Sequence, residues 1–179
     1  MSQGQDPDPA SFDFASRWQL AVLPETVWDS LIDFHIWPDW WPGLESVEEL
    51  DQGDADGIGQ RARSRWRGPV GYPIEFEVET IEKQYLESLK GKATGGLVGA
   101  GTWRISPVEE KEGAEGTWTR IVFEWRVVAT KRWMRVLNPV ARPLFVGSHD
   151  HVMAKGAEGL ADHLGCEIRG FETGEKAGG

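Results

Sequence analysis

Cysteine is nearly absent. Cys166 is the only one in 179 residues. An internal disulfide is therefore excluded, and a reducing, cytoplasmic setting is the default expectation. Long apolar runs are missing too. None approaches the ~20 residues that cross a bilayer, so membrane insertion is not expected. Basic residues are in deficit: 19 Lys and Arg stand against 29 Asp and Glu, a net charge of −10. A nucleic-acid binder carries a basic surplus, and an anionic membrane surface would repel this chain. The start, MSQGQDPDPASFDF, has neither the basic region nor the apolar core of a secretory signal. Metal patterns are lacking as well. There is no HExxH and no paired cysteine, and His149 and His151 stand two apart, which diverges on a helix. Neither a metal nor a cofactor is expected.

Tryptophan, by contrast, is in excess, with ten residues. Three of them fall in IWPDWWPG, as Trp37, Trp40 and Trp41 between Pro38 and Pro42. The prolines limit this segment to a turn or one helical turn. Before it, FDFASRWQLAV alternates apolar and polar residues as a strand does, and Pro24 opens a helix over Glu25–Phe34. After it, Gln60–Arg67 places Arg61, Arg63, Arg65 and Arg67 on one face and Ala62, Ser64 and Trp66 on the other. Ile74–Ile81 places Glu75, Glu77 and Glu79 opposite Ile74, Phe76, Val78 and Thr80. With GPVGYP as the turn, the two form a hairpin in which Arg meets Glu. That makes the arginines the wet outer face of a half-buried sheet and not an anion site.

A strand near Tyr85–Lys92 leads into ATGGLVGAGTWRI. Its glycines fit neither a phosphate loop nor a dinucleotide fingerprint, so they read as bends or close backbone approaches. The last strand, Trp118–Val128, turns Ile121, Phe123, Trp125 and Val127 to one face, and Trp103 and Ile105 recur in phase in the strand before it. An amphipathic helix then runs from about Leu144 to Leu164, its start broken or kinked by Pro139 and Pro143, and Gly165 ends it. Gly156 and Gly159 lie on or beside its apolar stripe. Each costs about 1 kcal/mol in a helix interior, so a bulky group such as a Trp ring is expected to approach the backbone there.

The expected architecture is α+β: a curved seven-stranded antiparallel sheet around a long C-terminal helix, with two short helices between strands 1 and 2. One domain is expected over 12–165, with disordered tails at 1–11 and 166–179.

On WQLAVLPETVWDSL with WPDWWPGLESVEEL, then ATGGLVGAGTW, FEWRV and RPLFVGSHDHVMAKGAEGL, the chain resembles the START-like (SRPBCC) superfamily. Within it, the likeness is to the polyketide cyclase/dehydrase and lipid-transport group. It covers about 14–164. It implies the helix-grip fold and a deep, mostly apolar cavity for lipids, polyketides or other hydrophobic molecules. It also implies an acidic residue where Gly96 stands, a departure from the pattern. Some superfamily relatives are chaperone-stimulating or ribosome-associated, so a protein-interaction module is the alternative, with exposed Trp in IWPDWWPG as its surface.

The candidate ligand-binding residues are those on the inward face: Ser64, Trp66, Phe76, Val78, Trp103, Phe123 and Trp125, with Met153 and His149 from the helix. Such a wall suits apolar binding more than acid–base work, because no carboxylate falls on it. His149 lies four residues from both Phe145 and Met153, so it faces the sheet. It reads either as a structural, hydrogen-bonded residue or as the one ligand-contacting or catalytic group. In the motif, Trp41 is expected to wedge inward, and Trp37 or Trp40 to border the entrance. The expected partner is a small hydrophobic ligand, and the expected state a monomer or homodimer.

Overall fold

The structure, a computed structural model, describes residues 10–67, 73–109, 116–130 and 132–176, and for 133–141 only the backbone. The expected GPVGYP turn and most of the expected N-terminal tail lie outside the described residues. Strand β1, Ser11–Leu20, buries Phe12, Phe14, Ser16, Trp18 and Leu20 on one face, as its alternation dictates. Helix α1, Pro24–Ile32, takes Pro24 in its first turn and buries Val27, Trp28 and Leu31. A 3-10 turn, Phe34–Ile36, passes into the one-turn helix α2, Trp37–Trp40. Strands β2 (Leu44–Asp51), β3 (Arg61–Arg67), β4 (Pro73–Gln84), β5 (Ser88–Gly95), β6 (Leu97–Pro107) and β7 (Thr119–Ala129) follow. Helix α3, Arg132–Leu164, and strand β8, Ile168–Glu175, complete the chain.

The antiparallel sheet runs β2-β3-β4-β5-β6-β7-β1-β8, and the long helix packs against its concave face in the helix-grip arrangement. Among the described residues it has eight strands, not seven. The extra one is β8, in a segment expected to be tail. A β-bulge hides it: the register against β1 shifts between Arg17 and Gln19, opposite Gly170 at φ +64°. The bulge puts Ile168 and Phe171, three residues apart, against the same core. Strict alternation cannot detect such a strand.

The outer face of β2, β3 and β4 is a charge ladder. Arg63 bonds Glu77 at 2.8 Å and Glu48 at 3.1 Å, and Arg65 bonds Glu75 at 2.6 Å and Glu45 at 3.1 Å. These arginines are exposed and fully engaged with carboxylates, so they are sheet surface, as their alternation implies.

Helix α3 is longer than expected. It starts at Arg132 and runs through Pro139 and Pro143. Each proline forgoes one intrahelical hydrogen bond, yet neither ends the helix. Further along, Gly156 and Gly159 answer the close approach expected there. A methyl group on Gly156 would lie 2.3 Å from Trp41 Nε1, and one on Gly159 would lie 1.8 Å from the Trp40 carbonyl oxygen. Two apolar clusters result. One joins Trp18, Trp28, Trp40, Trp41, Trp103 and Leu160; the other joins Phe12, Phe14, Trp125 and Val127. Phe123 packs against both.

Candidate functional site

Between the concave sheet and α3 lies a cavity of about 260 Å³. It takes its lining from both clusters. It also runs the length of the β3–β4 hairpin, from Lys83 near one end to Arg67 at the other. No carboxylate lines it among the described residues.

Each candidate residue borders this space. Ser64 and Trp66 reach it from β3, Phe76 and Val78 from β4, and Trp103 from β6. Phe123 and Trp125 enter from β7, His149 and Met153 from α3, and Trp37 and Trp41 from the α2 turn. The alternating face puts them there, since every second residue of a strand points inward. Phe12, Phe14, Val47, Phe145 and Val152 also line the cavity and escaped the sequence reading. So did Gly91 and Gly101, whose signal was glycine on the inward phase of an alternating strand.

Those two glycines shape the site. They face each other across β5 and β6. A methyl on Gly101 would lie 2.5 Å from the Trp125 ring, and one on Gly91 would lie 2.5 Å from Val78. The bareness of Gly101 lets Trp125 lie down over β6, and that of Gly91 makes room for Val78. A continuous aromatic wall follows: Trp103 stacks on Phe123 at 4.3 Å and 29°, and Phe123 on Trp125 at 5.8 Å and 24°.

The three motif rings divide their work. Trp41 is buried over Gly156 and donates from Nε1 to the Val152 carbonyl at 3.0 Å, which makes it the inward wedge. Trp37 is half-buried at the cavity and donates to the Ser30 carbonyl at 3.1 Å. Trp40, one of the two rings expected near the entrance, is only 4% exposed and stacks on Trp41 at 5.2 Å. It is core. The carbonyl of its own residue sits against Gly159, which draws the whole turn onto α3.

Polar groups at the cavity are few. Ser64 Oγ donates to the Phe76 carbonyl at 3.3 Å and accepts from Trp66 Nε1 at 3.0 Å. Thr119 is buried and donates to the Val22 carbonyl at 2.6 Å, apart from the cavity lining. Lys83 Nζ donates to the Asp56 carbonyl at 3.0 Å and pins the loop after β2. Gly96 gives its N–H to the Glu75 carbonyl at 3.1 Å, and a side chain there would meet that same oxygen at 2.5 Å. The backbone closes on β4 at the point where the resemblance implies an acidic residue.

His149 is the deeply buried one among them. Its ring lies flat on Phe14, with centroids 3.8 Å apart and planes 8° apart. Nδ1 faces Asp150 Oδ1 at 3.4 Å, while Nε2 is buried with no partner among the described residues. Burial pushes the imidazole down to about 4, against a smaller opposing pull from Asp150, so it is neutral at pH 7. A neutral imidazole can accept or donate a proton but binds no anion by charge. No group of three or more His, Cys, Asp or Glu among the described residues could hold a metal.

No curated protein matches the sequence. Solved structures match the fold. The Zhui aromatase/cyclase from a Streptomyces strain is 17% identical, with a TM-score of 0.64 over 87% of this chain and 94% of that one. A START superfamily protein from Mycobacterium smegmatis is 19% identical, with a TM-score of 0.59 over 85% and 99%. The di-domain ARO/CYC BexL is 18% identical, with a TM-score of 0.62; the match covers 88% of this chain and 51% of BexL, so this chain spans about half its length. At these identities the likeness shows the fold alone. The model of the family described as polyketide cyclase/dehydrase and lipid transport matches residues 11–165, and the chain belongs to that family.

Proposed function

We propose that this protein binds a hydrophobic, ring-bearing small molecule between the sheet and α3. The observation that carries this reading is the aromatic wall of Trp103, Phe123 and Trp125, laid open by Gly101. A cavity of 150 Å³ is enough to hold benzene, so about 260 Å³ suits roughly two or three fused rings or a folded chain of similar bulk. Aromatase/cyclases among the similar structures support the same ligand class. The enzymatic form of this reading is a cyclisation or dehydration of a bound ketide. There His149 would be the proton-transferring group, an effect worth about 10²–10⁴ in rate. The near-absence of cysteine supports a cytoplasmic site of action.

The protein-interaction reading gains no such support. It relied on exposed motif tryptophans, and Trp40 and Trp41 are core while Trp37 faces the cavity.

Titration with a hydrophobic fluorophore tests the binding. Intrinsic Trp emission should quench saturably, and Trp125→Ala should weaken affinity while the fold persists by circular dichroism. Failure of fatty acids, sterols and aromatic polyketides alike to bind saturably would overturn the proposal.

A further inference from the structure

Behind His149 a line of side chains crosses three elements. Ser16 of β1 is fully buried, and its Oγ lies 2.7 Å from Thr173 Oγ1 of β8. Thr173 Oγ1 donates to Asp150 Oδ1 at 3.2 Å. Asp150 Oδ1 in turn faces His149 Nδ1 at 3.4 Å. Directions follow from the acceptor at the centre. A carboxylate only accepts, so Thr173 spends its proton on Asp150 and Ser16 must donate to Thr173. For the same reason His149 must carry its proton on Nδ1. Nε2 is then left with a bare lone pair, buried and without a partner. The stack on Phe14 fixes the plane of the ring, and Asp150 fixes which way round it sits in that plane.

We propose that Asp150, Thr173 and Ser16 are positioning residues that hold His149 in the Nδ1–H tautomer, so that Nε2 accepts a hydrogen bond from a hydroxyl of the cavity ligand. This rests on the binding function proposed above and narrows its ligand to hydrophobic molecules bearing a phenol, enol or alcohol. It also makes β8 part of the site, because Thr173 belongs to that edge strand. A buried acceptor left unmet is costly, and a ligand hydroxyl relieves the cost where a pure hydrocarbon cannot.

Two measurements test it. In protein labelled with 15N, the His149 ring should show a protonated Nδ1 and an unprotonated Nε2 at pH 7. In Asp150→Ala the preference should relax toward a mixture of tautomers, and in Thr173→Val it should weaken. Observation of Nε2–H in the wild type would overturn the proposal. The second measurement compares the Kd of 2-naphthol with that of naphthalene, which lacks only the hydroxyl. The preference for 2-naphthol should fall roughly three- to tenfold in His149→Phe and Asp150→Ala, the worth of one neutral hydrogen bond, while naphthalene binding changes less than about twofold. An unchanged preference in both variants would overturn the hydroxyl claim. If neither probe binds, the cavity function fails and the hydroxyl claim falls with it, while the tautomer assignment is decided by the spectrum alone.

Discussion

Gly156→Ala is expected to destabilise this protein, although alanine is the better helix former by about 1 kcal/mol. The added methyl would lie 2.3 Å from Trp41 Nε1 and 2.5 Å from Cε2, so the ring must move. It has little room to do so. Trp41 stacks on Trp40 at 5.2 Å, meets Trp66 edge-on at 5.1 Å, and holds the Val152 carbonyl at 3.0 Å. Loss of that buried hydrogen bond costs about 1–3 kcal/mol. Forced repacking adds about 1–3 kcal/mol. After subtraction of the helix gain, the net loss is about 1–5 kcal/mol. Gly147→Ala is the control, on the same helix with nothing within 4 Å of the added methyl. It should be neutral or stabilising by up to about 1 kcal/mol. Urea unfolding followed by far-ultraviolet circular dichroism reads both without relying on the perturbed Trp emission. In a Trp41→Leu background the cost of Gly156→Ala should shrink, a coupling that a double-mutant cycle measures. A Gly156→Ala variant as stable as wild type would refute the reasoning.

Other outcomes follow from the same geometry. His149 sits at about 4 when folded and near 6.5 when unfolded, so between those values the unfolded chain binds the extra proton. Its contribution is therefore fully present above about pH 6.5 and is lost as pH falls toward 4, by about 3 kcal/mol in all. Urea midpoints across that range should slope in the wild type and flatten in His149→Phe; equal slopes would contradict the burial argument. Gly101→Ala puts a methyl 2.5 Å from the Trp125 ring and 3.1 Å from Phe123, which drives the aromatic wall into the cavity. Fluorophore affinity should fall at least about tenfold, and an unchanged Kd would show that the wall does not border the ligand. Arg63→Ala removes two exposed ion pairs on the outer face. Fluorophore affinity should stay at the wild-type value, and any small stability loss should vanish in 1 M NaCl, whereas a loss of binding would place the ligand on the wrong face.

The parts of this fold that can be read from sequence are those where one physical demand acts alone. Arg61, Arg63 and Arg65 alternate with Ala62 and Ser64 because a half-buried strand needs one wet face, and every hairpin register then sets Arg opposite Glu; in the fold Arg63 meets Glu77 and Arg65 meets Glu75. Gly156 and Gly159 betray their neighbours because glycine in a helix is a loss that something must offset. Elsewhere two demands overlap. The bulge at Gly170 breaks the alternation of β8, so Thr173 and its link to Asp150 stay hidden. Pro139 and Pro143 argue against a helix that tertiary structure nonetheless extends back to Arg132. Trp37 and Trp40 have the same local chemistry, and only the docking of α2 on α3 decides that Trp40 is core. Ser64 is on the correct face, but its two hydrogen bonds depend on Trp66 and Phe76 together, which no single-strand pattern displays.

Strand β1 has a consequence for how the chain is made. It precedes the other strands along the chain, yet Phe14 pairs on one side with Trp125 and on the other with Glu175. During translation its apolar side chains must wait, unpaired, until β7 has emerged. The meander from β2 to β7 can zip up locally in that time, hairpin by hairpin, whereas β1 closes only once β7 is made and β8 only after α3. Nascent chains halted before residue 119 should therefore stay protease-sensitive and engage chaperones.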